Sequence, residues 1–121
     1  MILLLIAIGG AVGALCRYGV YEWSAWAFRV NFPYATLIVN VVGSFIIGVL
    51  VVWLANRTSL AAELRFLLIT GFLGAFTTFS TFSIDTLMLF KESPVLAGLN
   101  IVLNVGVCLL AVWAGTVLAK V

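Results

Sequence analysis

Four long apolar stretches, interrupted only by short polar breaks, fill almost the whole of this 121-residue chain. A helix needs about 20 mostly apolar residues to cross the hydrocarbon core of a bilayer, and each stretch meets that length. Hydrophobic residues make up 65% of the sequence and charged residues 8%, whereas a soluble domain carries about 45–50% and roughly 25%. Since a soluble chain this short cannot bury so much apolar surface, the sequence predicts an all-α membrane protein with four transmembrane helices.

Polar residues and proline mark the ends of the predicted spans. Pro33 stands where a new helix can begin, and Ser59 followed by Glu63 fits a helix N-cap with an acid in the first turn. The first stretch has no basic residue before it, which favours a retained helix over a cleaved signal peptide. We therefore predict one four-helix transmembrane domain over residues 1–121, with spans at residues 2–27, 34–55, 62–90 and 95–119.

Composition also argues against several classes of function. The net charge of +2, from six basic and four acidic residues, is too weak to indicate nucleic-acid binding. The sequence has no histidine and offers no carboxylate pair or nucleophile–base pair, so an enzyme is not expected. Cys16 and Cys108 lack the spacing of a metal or redox motif, and we interpret both as small buried apolar residues.

The basic residues are spread almost evenly over the two ends of the predicted bundle. Four crossings put both termini and the middle loop on one side, and Arg17 lies inside the first span. Most membrane proteins have a clear excess of Lys and Arg on the cytoplasmic side. The near balance predicts that copies insert in both orientations and pair as an antiparallel, dual-topology homodimer. The side with the termini has Arg57, Arg65 and Lys120, and the opposite side has Arg29 and Lys91.

Glycine spacing predicts close helix packing. Gly9 and Gly13 form a G-x-x-x-G pattern in the first span, and Gly43 and Gly48 lie in the second. Small residues let helices approach closely in lipid.

The third predicted span contains a run that is unusual for the interior of a bilayer. Gly71, Gly74 and the pair Thr77 and Thr78 all weaken a helix, so we predict a break near the middle of this span. A break in lipid frees backbone carbonyls that must be buried in protein or bind a ligand. Freed carbonyls suit a cation such as Na+.

Polar and aromatic side chains at membrane depth are the candidate functional groups, because a buried polar group is costly unless it is satisfied. Amide N–H groups, hydroxyls and the positive edges of phenyl rings can all face a small anion. The residues alone thus predict a pathway for a small anion or another small solute, with hydrogen bonding between helices and core packing as the alternatives. The groups are three asparagines, three phenylalanines that recur every third residue and share a face, and three hydroxyls beside them: Asn40, Asn100, Asn104, Phe76, Phe79, Phe82, Ser80, Thr81 and Ser83.

Three segments of the sequence resemble the CrcB/Fluc family of fluoride channels, and the resemblance covers essentially the whole chain. The third segment is the longest and the most specific. The segments are GGAVGALCRY at residues 9–18, TLIVNVVGSF at residues 36–45 and GFLGAFTTFSTFS at residues 71–83.

This resemblance implies a fluoride-selective channel that exports cytoplasmic fluoride passively across the cell (inner or plasma) membrane. It implies an antiparallel homodimer with two pores and a structural Na+ at its centre, held by backbone carbonyls of Gly74 and Thr77 from both copies. Arg17 would lie at a wide aqueous entrance, where its charge attracts anions. The implied pore residues are Asn40, Phe79, Phe82, Ser80, Thr81 and Asn104.

Two positions depart from the family pattern. Relatives often carry Tyr and Ser one turn apart on the fourth helix, where this chain has Asn100 and Asn104. Relatives often have Glu after the third segment, where this chain has Asp85, which is one methylene shorter. The ion path along the fourth helix and the role of Asp85 therefore stay open at this point.

Two other functions are possible for a chain with four short spans. A proton-coupled small multidrug exporter also has four short spans, but it needs a carboxylate at the membrane centre, and Glu22 and Asp85 lie toward the ends of their spans. A non-conducting assembly subunit would use the polar residues for packing only. Fluoride-driven current in liposomes separates the channel from both.

Overall fold

The computed structural model of the protein describes residues 1–55, 57 and 61–121. Those residues form helices and connecting turns without a strand, and four of the helices are long and apolar enough to cross a membrane by length and composition. The predicted all-α fold with four spans is therefore confirmed. The predicted N-cap at Ser59 lies outside the described residues. The spans are Ile2–Ala27, Tyr34–Ala55, Ala61–Glu92 and Pro94–Leu118.

The first two spans are continuous α-helices, whereas the third and fourth change geometry along their length. The first span is α1 (Ile2–Ala27) and the second is α2 (Tyr34–Ala55). No sequence signal predicts the π-helical turns of the other two spans. This geometry is rare in proteins, and where it occurs it is often at a functional site. The third span comprises α3 (Ala61–Leu64), a π-helical segment (Arg65–Leu73), α4 (Gly74–Phe76) and α5 (Phe79–Glu92). The fourth comprises α6 (Pro94–Val102), a second π-helical segment (Leu103–Val107) and α7 (Cys108–Leu118).

The third span breaks between α4 and α5, where two threonines have extended backbones. Thr77 has φ −86° and ψ 162°, and Thr78 has φ −155° and ψ 121°. The Thr78 hydroxyl accepts a hydrogen bond from the Thr81 N–H at 3.2 Å, as an N-cap side chain does. The predicted break is confirmed, and it lies at the threonines, while Gly71 and Gly74 remain helical.

Close contacts through glycine hold neighbouring spans together, as predicted. Gly9 and Gly13 of α1 lie against the π-helical segment of the third span, and a Cβ at Gly9 would come within 2.9 Å of Phe72 N. Gly48 of α2 packs in the same way against Gly115 of α7. Side chains at these positions would collide with backbone, which cannot move aside easily, so only glycine allows this spacing.

A single residue, Ser93, connects the third span to the fourth. Its hydroxyl accepts a hydrogen bond from the Leu96 N–H at 3.4 Å, and Pro94 occupies the first position of α6, where its missing N–H costs nothing. So short a connection makes α5 and α6 antiparallel neighbours. It thereby brings Thr86 of α5 next to Asn100 of α6.

Most of the apolar surface is exposed within one chain. Cys16 is exposed and Cys108 is half-buried, so the interpretation of both as buried residues is wrong. The reason is that an apolar side chain on a membrane helix need not be buried in protein, since lipid tails are as apolar as a protein core.

Candidate functional site

The break between α4 and α5 faces Asn40, in the second turn of α2. The Thr78 N–H donates a hydrogen bond to Asn40 Oδ1 at 2.8 Å, and Asn40 Nδ2 donates to Thr78 O at 3.0 Å. One side-chain amide thus pairs with both polar groups of an extended residue. Such backbone groups are costly in a membrane interior unless the protein satisfies them, so Asn40 stabilises the break.

Gly43, three residues further along α2, leaves room for the break to approach. A Cβ at this position would collide with Thr77 Cγ2 and would lie 3.6 Å from Phe76 Cδ1. A larger side chain would fit only if the Thr77 side chain moved aside. The predicted role of Gly43 in close packing is confirmed.

Asn40 is also the first of three asparagines that hydrogen bonds join across α2 and the fourth span. Its Nδ2 donates to Asn104 Oδ1 at 3.0 Å, and Asn104 Nδ2 donates to Asn100 Oδ1 at 3.0 Å and to Asn100 O at 3.1 Å. Asn100 Nδ2 donates to Thr86 Oγ1 at 3.0 Å, and that hydroxyl donates to Phe82 O at 2.7 Å. Asn100 is completely buried. The structure therefore brings together all three intramembrane amides that the sequence singled out.

The break also frees the backbone carbonyls at the end of α4, those of Gly74 and Thr77 among them. In a continuous helix the Thr78 N–H would bond to Gly74 O, and the Thr81 N–H would bond to Thr77 O. Here the Thr78 N–H donates to Asn40 and the Thr81 N–H donates to Thr78 Oγ1. The carbonyls of Gly74 and Thr77 both lose their helical donors, and they are the two that the family resemblance implies for a cation.

Arg17 of α1 reaches the same break. Its Nη1 donates to Thr77 O at 3.4 Å, a distance at which a hydrogen bond is weak. The side chain is half-buried. A guanidinium beside carbonyl oxygens without helical donors lies in a favourable electrostatic environment, so Arg17 contributes to stabilising the break.

The phenylalanines after the break form a pair, but the one before it does not join them. Phe79 and Phe82 have ring centroids 5.4 Å apart at an interplanar angle of 57°. Phe79 is 77% exposed, whereas Phe82 is 8% exposed. Phe76 is buried and stacks on Phe72 at 5.5 Å. The prediction that Phe76 shares a face with Phe79 and Phe82 is wrong, because the extended backbone between α4 and α5 ends the helical periodicity there.

Hydroxyl groups surround the first turn of α5. Thr78 Oγ1 donates to Thr81 Oγ1 at 3.0 Å and lies 3.4 Å from Ser80 Oγ. Ser80 is exposed and Thr81 is half-buried. Ser83 is exposed and donates to Phe79 O at 2.9 Å, so its hydroxyl is engaged within its own helix.

A cavity of about 390 Å³, open on one side, lies between α2, the break and the fourth span. Ser80, Thr81 and Arg17, which the sequence also indicated, do not line it. The cavity thus gathers most of the predicted site at the depth where the third span loses its helical geometry. Its lining includes Asn40, Gly74, Thr77, Phe79, Phe82 and Asn104.

The chain is similar to known proteins over most of its length. A family model described as "CrcB-like protein, Camphor Resistance (CrcB)" matches residues 4–116. The chain belongs to the CrcB family. Its four apolar spans and its membership of the CrcB family make it a multi-pass membrane protein.

Known CrcB relatives carry a common name. A "Fluoride-specific ion channel FluC" of Methylococcus capsulatus is 52% identical over 120 residues, which are 95% of this chain and 51% of that protein. The chain thus spans about half the length of that relative. A protein of the same name from Rhizobium leguminosarum is 50% identical over 113 residues, which are 93% of this chain and 90% of that protein. These names describe an ion channel and no catalysis, so the prediction of a non-enzymatic function is confirmed.

A second polar cluster of this CrcB chain was missed by the sequence analysis. Thr36 of α2 donates to Asp85 Oδ2 at 2.7 Å, and its hydroxyl also lies 2.7 Å from the Tyr21 hydroxyl of α1. Thr36 is buried, so a hydroxyl inside an apolar span was the signal that could have revealed it. The cluster ties α5 to both α1 and α2 beyond the break.

The backbone oxygens at the break are suitable ligands for a small hard cation. The described residues contain no group of three or more His, Cys, Asp or Glu side chains able to hold a metal ion. Backbone carbonyls at an interrupted membrane helix are known ligands for Na+, and those of Gly74 and Thr77 have lost their helical donors. From one chain Gly74 and Thr77 supply two oxygens, which is fewer than a cation of this kind takes.

Proposed function

We propose that this protein is a fluoride channel that lets the anion leave the cytoplasm passively across the cell inner membrane. The observation that carries this proposal is the open cavity in which Phe79, Phe82 and two asparagine amides meet beside an interrupted helix. The names of the relatives support the choice of fluoride among small anions.

The groups beside the cavity suit a small, strongly hydrated anion. To enter the cavity, fluoride must lose its hydrogen bonds to water and contact groups of the protein that carry partial positive charge. The edges of the Phe79 and Phe82 rings carry partial positive charge, and Ser80 and Thr81 contribute hydroxyls beside them. Among the described residues, none of the side chains that line the cavity carries a full positive charge that would trap the anion, so the anion can leave as readily as it binds.

Asn40 contributes in a more restricted way. Both hydrogens of its Nδ2 are engaged, one with Thr78 O and one with Asn104 Oδ1. An anion that reaches Asn40 must therefore replace one of these acceptors. Since the bond to Thr78 stabilises the break, Asn104 Oδ1 is the acceptor that gives way.

The assembly we propose is an antiparallel homodimer with two pores. Phe79 is 77% exposed in a single chain, and the cavity beside it is open on one side. A second copy would cover both features and shield the anion path from lipid. The near balance of basic residues between the two ends of the bundle supports insertion in both orientations.

We further propose that a Na+ lies at the centre of this assembly. Each copy would contribute the carbonyls of Gly74 and Thr77, so two copies together offer four oxygens. A carbonyl oxygen has two lone pairs. Thr77 O can therefore accept the hydrogen bond from Arg17 with one lone pair and bind a cation with the other. Such a cation would offset the partial negative charges of the carbonyl oxygens at the dimer centre.

Arg17 has a second proposed role, at the entrance to the pore. A guanidinium has five N–H donors, and the bond to Thr77 O uses one of them. The others can attract anions from water, which raises the local fluoride concentration without binding the ion tightly.

The alternative of a proton-coupled multidrug exporter is not favoured. Glu22 is exposed near the end of α1, and Asp85 accepts a hydrogen bond from Thr36 away from the cavity. Neither carboxylate lies where a substrate in the cavity would meet it.

The test is a fluoride efflux assay on purified protein in liposomes. Liposomes loaded with potassium fluoride and treated with a potassium ionophore should release fluoride without a pH gradient or an energy source, because the ion follows its own electrochemical gradient. The Phe82→Ile variant, which removes a positive ring edge, should release it more slowly. Efflux that requires a proton gradient would support a coupled exporter, and absence of efflux would support a non-conducting subunit.

A further inference from the structure

The hydrogen bonds of the three asparagines have only one possible direction. Amide oxygen and nitrogen are assigned from their partners, and here a backbone group makes the assignment. The Thr78 N–H can only donate, so the atom of Asn40 that it meets is Oδ1. The Asn40 atom facing Asn104 is then Nδ2, and its partner is Asn104 Oδ1.

The same reasoning continues through the fourth span. Asn104 must turn its Nδ2 toward Asn100, which accepts through Oδ1 and through its carbonyl. Asn100 therefore turns its Nδ2 to Thr86 Oγ1. That hydroxyl accepts one bond and donates its own hydrogen to Phe82 O.

We call this chain of bonds the amide relay: it runs from Thr78 through Asn40, Asn104, Asn100 and Thr86 to Phe82. Both of its ends lie on the backbone around the first turn of α5. The relay therefore leaves the third span, passes through α2 and the fourth span, and returns to Phe82 in the third span.

We propose that Asn100, with Thr86, is a positioning residue that sets the orientation of the Asn104 and Asn40 amides beside the anion path. Asn100 is completely buried and does not line the cavity, so it acts on the anion only through Asn104. The inference rests on the proposed channel function.

The backbone carbonyl of Asn100 supports this role. It accepts a hydrogen bond from the Leu103 N–H, and the Asn104 side chain donates to the same oxygen at 3.1 Å. Asn104 Nδ2 therefore has two acceptors on Asn100, the carbonyl and Oδ1, and both favour the same orientation of its amide.

If the Thr86 hydroxyl were removed, the side-chain amides of the relay would no longer be restricted to one orientation. Without the Thr86 hydroxyl, Asn100 has no acceptor for its Nδ2 and can turn over. Asn104 would then face a second donor on Asn100, and turning over to avoid it would set Asn104 Oδ1 against Asn100 O and Asn104 Nδ2 against Asn40 Nδ2, a contact between two donors. Asn40 can avoid that contact only by weakening its bonds to Thr78.

The first test removes the Thr86 hydroxyl in one variant and keeps the hydroxyl without the methyl group in another. We expect Thr86→Val to lower the rate of fluoride efflux about fivefold, the effect of one lost hydrogen bond, and Thr86→Ser to restore it. Thr116→Val is the matched control, because Thr116 donates to Trp113 O in its own helix. Equal rates in the Thr86→Val and Thr116→Val variants would overturn the proposal.

The second test asks whether Asn100 acts through Asn104. Asn100→Leu and Asn104→Leu should each slow efflux, and the double variant should be no slower than Asn104→Leu alone. Two effects that multiply would show that Asn100 acts independently and would overturn the proposal. Melting temperatures of the purified variants separate slower conduction from loss of fold.

A third measurement does not depend on conduction. In ¹⁵N spectra of the protein in detergent, Thr86→Val should shift the side-chain NH₂ signals of Asn100, Asn104 and Asn40. A shift confined to Asn100 would refute the relay even if the channel conducts. Shifts at all three sites in a protein that passes no fluoride would support the relay and refute the proposed function.

Discussion

At the scale of single residues, the break in the third span depends on Asn40. Its amide offers one acceptor and two donors in nearly one plane, and these match the N–H and C=O of Thr78 with one donor left for Asn104. Serine or threonine at this position could not satisfy all three partners. An asparagine in an apolar span is therefore explained by the backbone it faces as well as by any ion it meets.

We predict that Asn40→Asp lowers fluoride efflux more than tenfold. The oxygen that replaces Nδ2 would face two acceptors, Thr78 O and Asn104 Oδ1, and two hydrogen bonds of about 1 kcal/mol each would be lost. An ionised carboxylate would also repel the anion. The measurement is the initial efflux rate from liposomes of equal protein content.

Asn31→Asp is the matched control for this prediction. Asn31 is exposed in the segment between α1 and α2, so the same change of one atom there should leave the efflux rate nearly unchanged. An Asn40→Asp variant as fast as this control would contradict the role given to the Asn40 amide.

At the scale of helices, the apolar sequence predicts the spans well but not their contacts. Length and composition predict four crossings, and the helix-weakening pair Thr77 and Thr78 predicts the break. The rotation of each helix was not predictable, because helices that are apolar all round give no amphipathic signal. For this reason the link between Thr36 and Asp85 and the order of the amide relay became visible only in the structure.

The candidate site shows the same division between local and long-range information. Phe79, Phe82 and the hydroxyls near them belong to one continuous motif, and the structure keeps them on one turn of α5. The bond from Asn40 to Asn104 joins positions 64 residues apart, and nothing in either segment alone specifies it. The π-helical turns also escaped prediction, since they depend on packing and not on a local sequence pattern.

Glycine contacts offer a prediction at this scale. Gly13 of α1 lies against the backbone of Phe72, and a Cβ there would come within about 3 Å of its carbonyl carbon and Cα. Gly13→Ala should therefore lower the free energy of unfolding by about 1–3 kcal/mol, as overpacking does. Thermal unfolding of the protein in detergent measures this loss.

Gly19 provides the control on the same helix. A Cβ at Gly19 has no neighbouring atom within 4 Å, so Gly19→Ala should leave the melting temperature unchanged or slightly higher. Equal melting temperatures for the two variants would mean that α1 does not pack against the third span through Gly13.

At the scale of the whole molecule, one chain leaves its functional features incomplete. The cavity is open on one side and the ring of Phe79 projects from it. The carbonyls of Gly74 and Thr77 from one chain are too few to enclose a cation. Both gaps are filled if the same surface meets a second copy of itself, which a two-fold axis in the membrane plane achieves when the copies have opposite orientations.

The proposed antiparallel assembly makes a direct prediction about topology. With Cys16 and Cys108 replaced by serine and one cysteine added after Val121, an impermeant thiol reagent should label about half of the chains from each side of the membrane, because basic residues hardly favour either orientation. Two further lysines beside Lys120 should drive most chains into one orientation and lower fluoride efflux, since parallel copies cannot form the proposed interface. Adding two glutamines at the same position is the control and should change neither labelling nor efflux. Labelling of the original chain from one side only would exclude dual topology, and full efflux from a population with one orientation would exclude the antiparallel pair.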